Sequence, residues 1–379
     1  MPMNDLAVSV TPRAAYVHVP FCAHRCGYCN FTLVARRDDL IGQYLQAIEL
    51  ELQSLGQAYA VDTLFFGGGT PTHLPPDAFR HLMQQARTWF VPTEGAETSV
   101  EANPHPNVVP LLAECGVTRV SLGGQSFDVR KLQLLERSHT PAELRQTVQL
   151  AGQQLPTSSL DLIFGVPGET LAMWRNDLQQ AIDTGVPHIS TYGLTFERGT
   201  QFWSRRLHGE LQSLDDELER DMYALAIDLL TAAGYEHYEV SNFAKPGHRC
   251  RHNETYWSGD PFFAVGPGAA RFVNGRREIN HRSTTTYIKR MLAGQSPVAE
   301  VDELSPRERA SELLVVGLRR LQGVHRTVFV ARSGFTIDEL AGKTIERFVA
   351  QGLLSDDGQT VQLTRAGLFI SDSLWPELL

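Results

Sequence analysis

Six times between residues 14 and 235 a short run of apolar and β-branched residues gives way to helical spacing, and this alternation constrains the fold more than any single motif. AAYVHV (14–19) precedes a helix expected over Asp39–Gly56, where Ile41, Tyr44, Leu45, Ile48, Leu52 and Leu55 recur at helical intervals. DTLFFGGG (62–69) runs into PPDAFRHLMQQARTWF, with proline at a helix start, and ETSVEANP (97–104) into VVPLLAECG, a short helix ended by glycine. VTRVSLGGQSF (117–127), SSLDLIFGVPGE (158–169) and VPHISTYGLTFE (186–197) complete the set, the last before a long helix near Asp215–Gly234. Repeated β-α units of this kind imply an α/β fold with a parallel sheet, curled or open.

Polar and sulfur-bearing residues gather just past these strands: cysteines after the first, Gly67–Thr70 after the second, Glu101 at the end of the third and Gln125 after the fourth. The carboxyl ends of parallel strands are where barrels carry their chemistry. The alternation fades near Tyr235, which divides the chain into an expected first domain at 14–235 and a second at 236–379. The second is read as α-rich. SPRERASELLVVGLRRLQG (305–323), TIDELAGKTIERFVAQG (336–352) and TVQLTRAG (360–367) follow the element order of a winged helix. A net charge of -9 and the lack of an obvious arginine-rich recognition helix favour structural or docking use over nucleic-acid binding for that end. FFAVGPGAARF (262–272) reads as a junction loop without assigned chemistry. MPMNDLAVSV lacks the basic-then-apolar pattern of a leader, and no segment reaches the ~18 apolar residues of a membrane span, so a soluble cytoplasmic protein is expected.

Three of the five cysteines, Cys22, Cys26 and Cys29, lie within YVHVPFCAHRCGYCNF (16–31). Their spacing is too close to staple distant elements, which points to metal or redox chemistry in a reducing compartment. A structural zinc knuckle is one reading, but zinc takes four ligands and only His18 or His24 is at hand. An iron–sulfur cubane on three thiolates, with one iron open to a small molecule, is the other. CxxxCxxC after an N-terminal strand, followed by GGGTPT (67–72), resembles the radical S-adenosylmethionine (SAM) superfamily. That resemblance implies a partial (β/α)6 barrel, a 4Fe-4S cluster on Cys22, Cys26 and Cys29, and SAM chelated by the open iron, cleaved by electron transfer to a 5′-deoxyadenosyl radical. It assigns Gly68, Gly69 and Thr70 to the methionyl end of SAM.

Further positions resemble the oxygen-independent coproporphyrinogen III oxidase branch: Tyr16, Tyr28, Glu101 in SVEANP, Gln125 in SLGGQSF, Arg137 in LLERSH and Asp161 in LDLIFGVPGET. The resemblance makes these SAM contacts; on its own, Arg137 also reads as a solvated helix charge and Asp161 as a strand-end cap. Two departures, Phe31 in place of a fourth cysteine and a short segment before Tyr16, are similar to the HemW branch of heme chaperones. His252–Trp257, HNETYW, matches that branch's heme-associated segment. Imidazole is a strong axial ligand and Tyr256 and Trp257 offer flat faces, although a histidine beside aromatics is commonly a packed core residue. The resemblance thus implies His252 as heme ligand and transfer of heme to an unidentified acceptor protein, membrane-bound acceptors included. The alternative within the family is oxidative decarboxylation of coproporphyrinogen III, for which no catalytic residue is named. Cys250 stays unassigned, and Cys115 reads as a buried small residue.

Overall fold

The computed structural model describes residues 11–379, so the reading of MPMNDLAVSV as lacking a leader pattern falls outside the described residues. In chain order come β1 (Ala14–Val19), α1 (Ile41–Gln53), β2 (Tyr59–Gly68), α2 (Pro76–Trp89), β3 (Phe90–Ala102), α3 (Val108–Glu114) and β4 (Arg119–Gln125). Next are α4 (Val129–Leu134), α5 (Pro141–Gln154), β5 (Thr157–Phe164), α6 (Leu171–Asp183), β6 (His188–Gly193), α7 (Gln201–Leu207) and α8 (Asp216–Ala232). Then follow β7 (Glu236–Glu239), β8 (Asn242–Ala244), α9 (Arg251–Trp257), β9 (Phe263–Val265), β10 (Ala270–Val273), β11 (Arg276–Asn280), α10 (Thr284–Leu292) and β12 (Val298–Asp302). The chain closes with α11 (Pro306–Leu318), β13 (Val324–His325), α12 (Arg326–Ser333), α13 (Ile337–Ala350), β14 (Leu354–Asp356), β15 (Thr360–Leu363), α14 (Arg365–Phe369) and α15 (Ser371–Leu374). The larger strands form a mostly parallel central sheet.

Two compact units share the chain, and both are discontinuous: the first takes the segment through Cys22, 32–99 and 260–304, the second 23–31, 100–259 and 305–379.

In the first unit the strand order is β9-β1-β2-β3. β1 runs parallel to both neighbours, with Tyr16 opposite Phe65 on one side and Ala264 on the other. Val17, Val19, Leu64 and Phe66 are buried, as a strand between two others in a parallel sheet requires. Against them α1 buries Tyr44, Ala47, Ile48 and Leu52, each aliphatic or aromatic side chain contributing about 1.5–3 kcal/mol. Glu51 is buried on α1 as well, and it is satisfied rather than stranded: Gly266 N (2.8 Å), Asn280 Nδ2 (2.7 Å) and the Tyr287 hydroxyl (2.6 Å) all donate to its carboxylate. One carboxylate thus ties α1 to β11, α10 and the turn after β9.

The second unit orders its strands β4-β5-β6-β8-β7, with β4, β5 and β6 parallel and β8 antiparallel to both β6 and β7. The alternation that fades near Tyr235 in sequence therefore does not end the sheet there. FFAVGPGAARF, read as a loop, contains β9 and the start of β10. α5 begins on a capping box, Thr140 with Glu143, and Pro141 sits at its first turn, which fixes where the helix starts. A buried ion cluster of Lys131 with Glu169 and Asp177 joins α4 to α6, with the Lys131 ammonium 5.0 Å from the Trp174 ring centre. At the C-terminal end α11, α12 and α13 accompany the antiparallel sheet β13-β15-β14. Cys115 caps α3 half-buried, not fully buried as expected.

Candidate functional site

The first unit carries Tyr16, Cys22 and the GGGT segment. Gly69 N donates to Val19 O and Thr70 N to Phe21 O, both at 2.8 Å, so the glycine segment continues the ladder past the end of β1 and alongside a two-residue strand, Phe21–Cys22. The Thr70 hydroxyl then lies 3.3 Å from Cys22 Sγ. The glycines have an internal reason to be glycines. Gly68 has φ +109°, and a Cβ there would stand 2.2 Å from the His18 ring; a Cβ at Gly69 would stand 2.7 Å from Phe21 O. His18 is thereby packed under Gly68, with Tyr16 OH 3.1 Å from Nδ1 and Thr32 O 2.7 Å from Nε2. Burial pushes its imidazole down to about 4, so the ring is neutral.

The second unit carries Cys26, Tyr28, Cys29, Glu101, Gln125, Arg137, Asp161 and His252. Cys29 N donates to Cys26 O at 3.0 Å, a tight turn that sets both thiols on one short loop. Gly27 is closed in: a Cβ would lie 2.6 Å from the Phe202 ring, and Phe202 N donates to Gly27 O at 2.8 Å. Tyr28 packs edge-on against Phe202 at 6.0 Å. Burial raises the Tyr28 hydroxyl well above its ordinary value against the pull of Arg137, and burial also raises the Cys29 thiol. Phe31 is 63% exposed.

Arg137 Nη2 donates to Asn103 Oδ1 (2.6 Å) and Gly123 O (2.7 Å), and its Nη1 stands 3.8 Å from Cys26 Sγ. Its Nε is buried without a hydrogen-bond partner. A guanidinium held by two carbonyl oxygens, with Nη1 near a thiol and Nε buried without a partner, suits an incoming carboxylate. Asp161 is gripped by the Ser121 hydroxyl (3.2 and 3.1 Å to its two oxygens); desolvation raises its carboxyl, opposed by Ser190, Ser121, Arg119 and Arg137. Gln125 has φ +64° and Glu136 φ +55°, left-handed conformations that cost non-glycine residues energy and recur at functional sites. Glu136, which sequence reasoning missed, takes Gly27 N (3.0 Å) and His24 Nε2 (2.8 Å) on one carboxylate oxygen.

Within the second unit, the Cys26 and Cys29 thiols and the orphaned Arg137 donor are groups of the kind that an iron–sulfur cluster and a carboxylate ligand would use. None of the five cysteines is in a disulfide. His252 is enclosed: it is 1% exposed at the start of α9, burial pushes it down to about 3, and Tyr256 OH lies 2.8 Å from Nε2.

Residues 16–181 match the model of the Radical SAM superfamily, and 304–370 that of the HemN C-terminal domain. A "Heme chaperone HemW" of Lactococcus lactis is 32% identical over 97% of this chain and 97% of its own length. Its namesake in Escherichia coli is 32% identical over 97% and 98%. The chain belongs to the HemW family, within the radical SAM superfamily. Among solved structures, coproporphyrinogen III oxidase (HemN) from Escherichia coli, described as a radical SAM enzyme, superposes with TM-score 0.86 over 97% of this chain and 90% of that one. At 20% identity that likeness shows a shared fold. The HemW relatives span essentially the whole chain, whereas the superfamily model stops at 181 and leaves α9 and the HNETYW segment outside.

Proposed function

We propose that this chain is a heme chaperone, holding heme and passing it to an acceptor protein, with a 4Fe-4S cluster on Cys22, Cys26 and Cys29 and SAM beside it. The alignment along 97% of the chain with proteins named heme chaperones carries this reading. A cluster held by Cys22, Cys26 and Cys29 would supply an electron to SAM. In this reading β1 to β6 with their helices are the partial (β/α)6 barrel, the cofactor-bearing part is 14–235, and 236–379 is the heme-associated part. The winged-helix-like end at α11–α13 and β13–β15 serves docking.

The chain's own residues then divide the work. Arg137 takes the SAM carboxylate, presenting Nε while two backbone and amide oxygens hold the guanidinium in place. Asp161, Glu101 and Gln125 take polar groups of the nucleoside, Tyr16 and Tyr28 flank, and Gly68, Gly69 and Thr70 line the methionyl end. His252 would be the residue that holds heme, through the Nε2 that faces Tyr256 OH at 2.8 Å. No residue is assigned as a catalytic hydrogen donor.

Anaerobic purification tests the cofactors: about four irons and four sulfides per chain are expected, and zinc without sulfide overturns the cluster. Hemin titration followed at the Soret band, paired with coproporphyrinogen turnover under reducing conditions with SAM, tests the rest. Saturable heme binding without turnover supports the chaperone. Stoichiometric protoporphyrinogen formation overturns it in favour of the oxidase reaction.

A further inference from the structure

We infer that Glu136 is the positioning residue that shapes the cysteine loop before a cluster arrives, by holding the Gly27 amide and the His24 ring on a single carboxylate oxygen. This rests on the proposed cluster site at Cys22, Cys26 and Cys29.

The geometry converges on Glu136 from several directions within the second unit. Its Oε2 accepts from Gly27 N at 3.0 Å and from His24 Nε2 at 2.8 Å, and its Oε1 stands 3.0 Å from where a Cβ on Gly27 would be. Its backbone carbonyl lies 3.8 Å from Cys26 Sγ. Its backbone is left-handed at φ +55°, a conformation that a residue with a Cβ adopts only when its surroundings hold it there. The next residue, Arg137, sends Nη1 to the same Cys26 sulfur at 3.8 Å.

These contacts have a common effect. Gly27 lies between Cys26 and Cys29, and its amide points at Glu136 while its carbonyl accepts from Phe202 N at 2.8 Å. Both polar groups of that peptide unit's residue are thus spoken for, and the Cys26-to-Cys29 turn has little freedom left. A free loop would lose backbone entropy at every residue it orders on closing around a cluster; a loop already closed does not. The dipeptide Glu136-Arg137 performs two tasks with adjacent side chains: one fixes the loop backbone, the other faces the sulfur. Groups outside the ligand shell that orient metal ligands typically matter 10–100-fold in metal affinity.

The test uses the full chain, first stripped of metal and reduced, then reconstituted. Glu136→Ala removes the acceptor; Glu136→Gln keeps a carbonyl oxygen for the Gly27 amide; both retain a Cβ, so the left-handed backbone costs the same. His24→Ala removes one of the two donors at an exposed position. In metal-free protein, alkylation by iodoacetamide is read separately at each cysteine by mass spectrometry. Glu136→Ala is expected to speed alkylation of Cys29 about fivefold with Cys115 unchanged, and Glu136→Gln to restore the wild-type rate. After reconstitution, iron loss to a ferrous chelator is expected about tenfold faster in Glu136→Ala, and the reduced cluster's EPR spectrum should broaden. Wild-type alkylation in Glu136→Ala overturns the inference, and so does equal acceleration at Cys115, which would mark general loosening. A wild-type chain that takes up no iron or sulfide overturns the cluster reading instead, while the alkylation rates still decide what Glu136 does to the loop.

Discussion

The imidazole of His18 occupies the space that a side chain at position 68 would need: a Cβ on Gly68 would stand 2.2 Å from His18 Cε1. The ring is fixed by its own bonds. Thr32 O can only accept, so Nε2 carries the proton, and Nδ1 accepts from the Tyr16 hydroxyl. Gly68→Ala therefore meets both a clash and a left-handed backbone at φ +109°. A loss of about 2–4 kcal/mol is expected in urea unfolding. Gly209→Ala, at φ +74° with open space around it, isolates the backbone cost and should lose only about 1 kcal/mol. Equal losses at the two positions would show that His18 yields.

Acid should weaken the fold before it reaches the carboxylates. Burial holds His18, His139 and His237 down to about 4 and His252 to about 3, whereas the unfolded chain protonates its histidines near 6.5. Above pH 6.5 neither state is charged and the contribution is complete. Between 6.5 and 4 the unfolded state binds protons that the folded state refuses, so stability falls as pH falls, by about 1.4 kcal/mol per unit for each such histidine. Urea midpoints at pH 7.5, 6 and 5 check this. His252→Gln should flatten the slope, and a wild-type midpoint that is level across the range contradicts the burial.

Glu51 offers a sharper stability test because its partners come from so far along the chain. Glu51→Ala leaves the Gly266 amide and the Tyr287 hydroxyl without their acceptor and the Asn280 amide with Gly266 O alone, and about 3–5 kcal/mol is expected to be lost. Glu51→Gln keeps the volume but turns an amide NH2 toward donors, and should fall between the two. Urea unfolding monitored by far-UV circular dichroism would reveal a wild-type midpoint in Glu51→Ala if the network were dispensable.

For heme, the hydrogen bond between Tyr256 OH and His252 Nε2 sets the direction of an effect. If His252 is the axial ligand, that bond opens on binding, at a cost of about 1 kcal/mol. Tyr256→Phe should then bind hemin about fivefold tighter. His252→Ala should shift the Soret band and weaken binding. A Tyr256→Phe chain that binds more weakly would mean that the phenol itself contacts heme.

The first six strands were legible because each is a run of apolar residues followed by a helix with a regular apolar face; α1 shows it at Tyr44, Ile48 and Leu52. The helix start was not placed to the residue, since a short 3-10 turn at Asp38–Leu40 precedes Ile41. β9 escaped notice for a plain reason. Three residues carry no period, and Phe263 finds its partner, Ala15, near the opposite end of the described chain. The cysteine spacing pointed to chemistry, and family resemblance singled out Arg137 and Asp161. Glu136 was not: in LLERSH it reads as one more surface charge, and only its left-handed backbone and its hold on Gly27 distinguish it. Glu51 hid in the same way, as a charge at a position whose burial depends on segments that do not precede it.

The reach of that Glu51 network also bears on how the protein is made. Its hydroxyl donor, Tyr287, lies 236 residues downstream. At roughly 5–20 residues per second, translation needs on the order of 10–50 s to supply it. Through that interval the early helix carries a carboxylate with no place to settle, and the first strand lacks the neighbour at its edge. The N-terminal third therefore cannot finish folding as it leaves the ribosome. Chains cut before residue 260 should accumulate as aggregates or protease fragments, even though every cysteine assigned to the cluster has already been made.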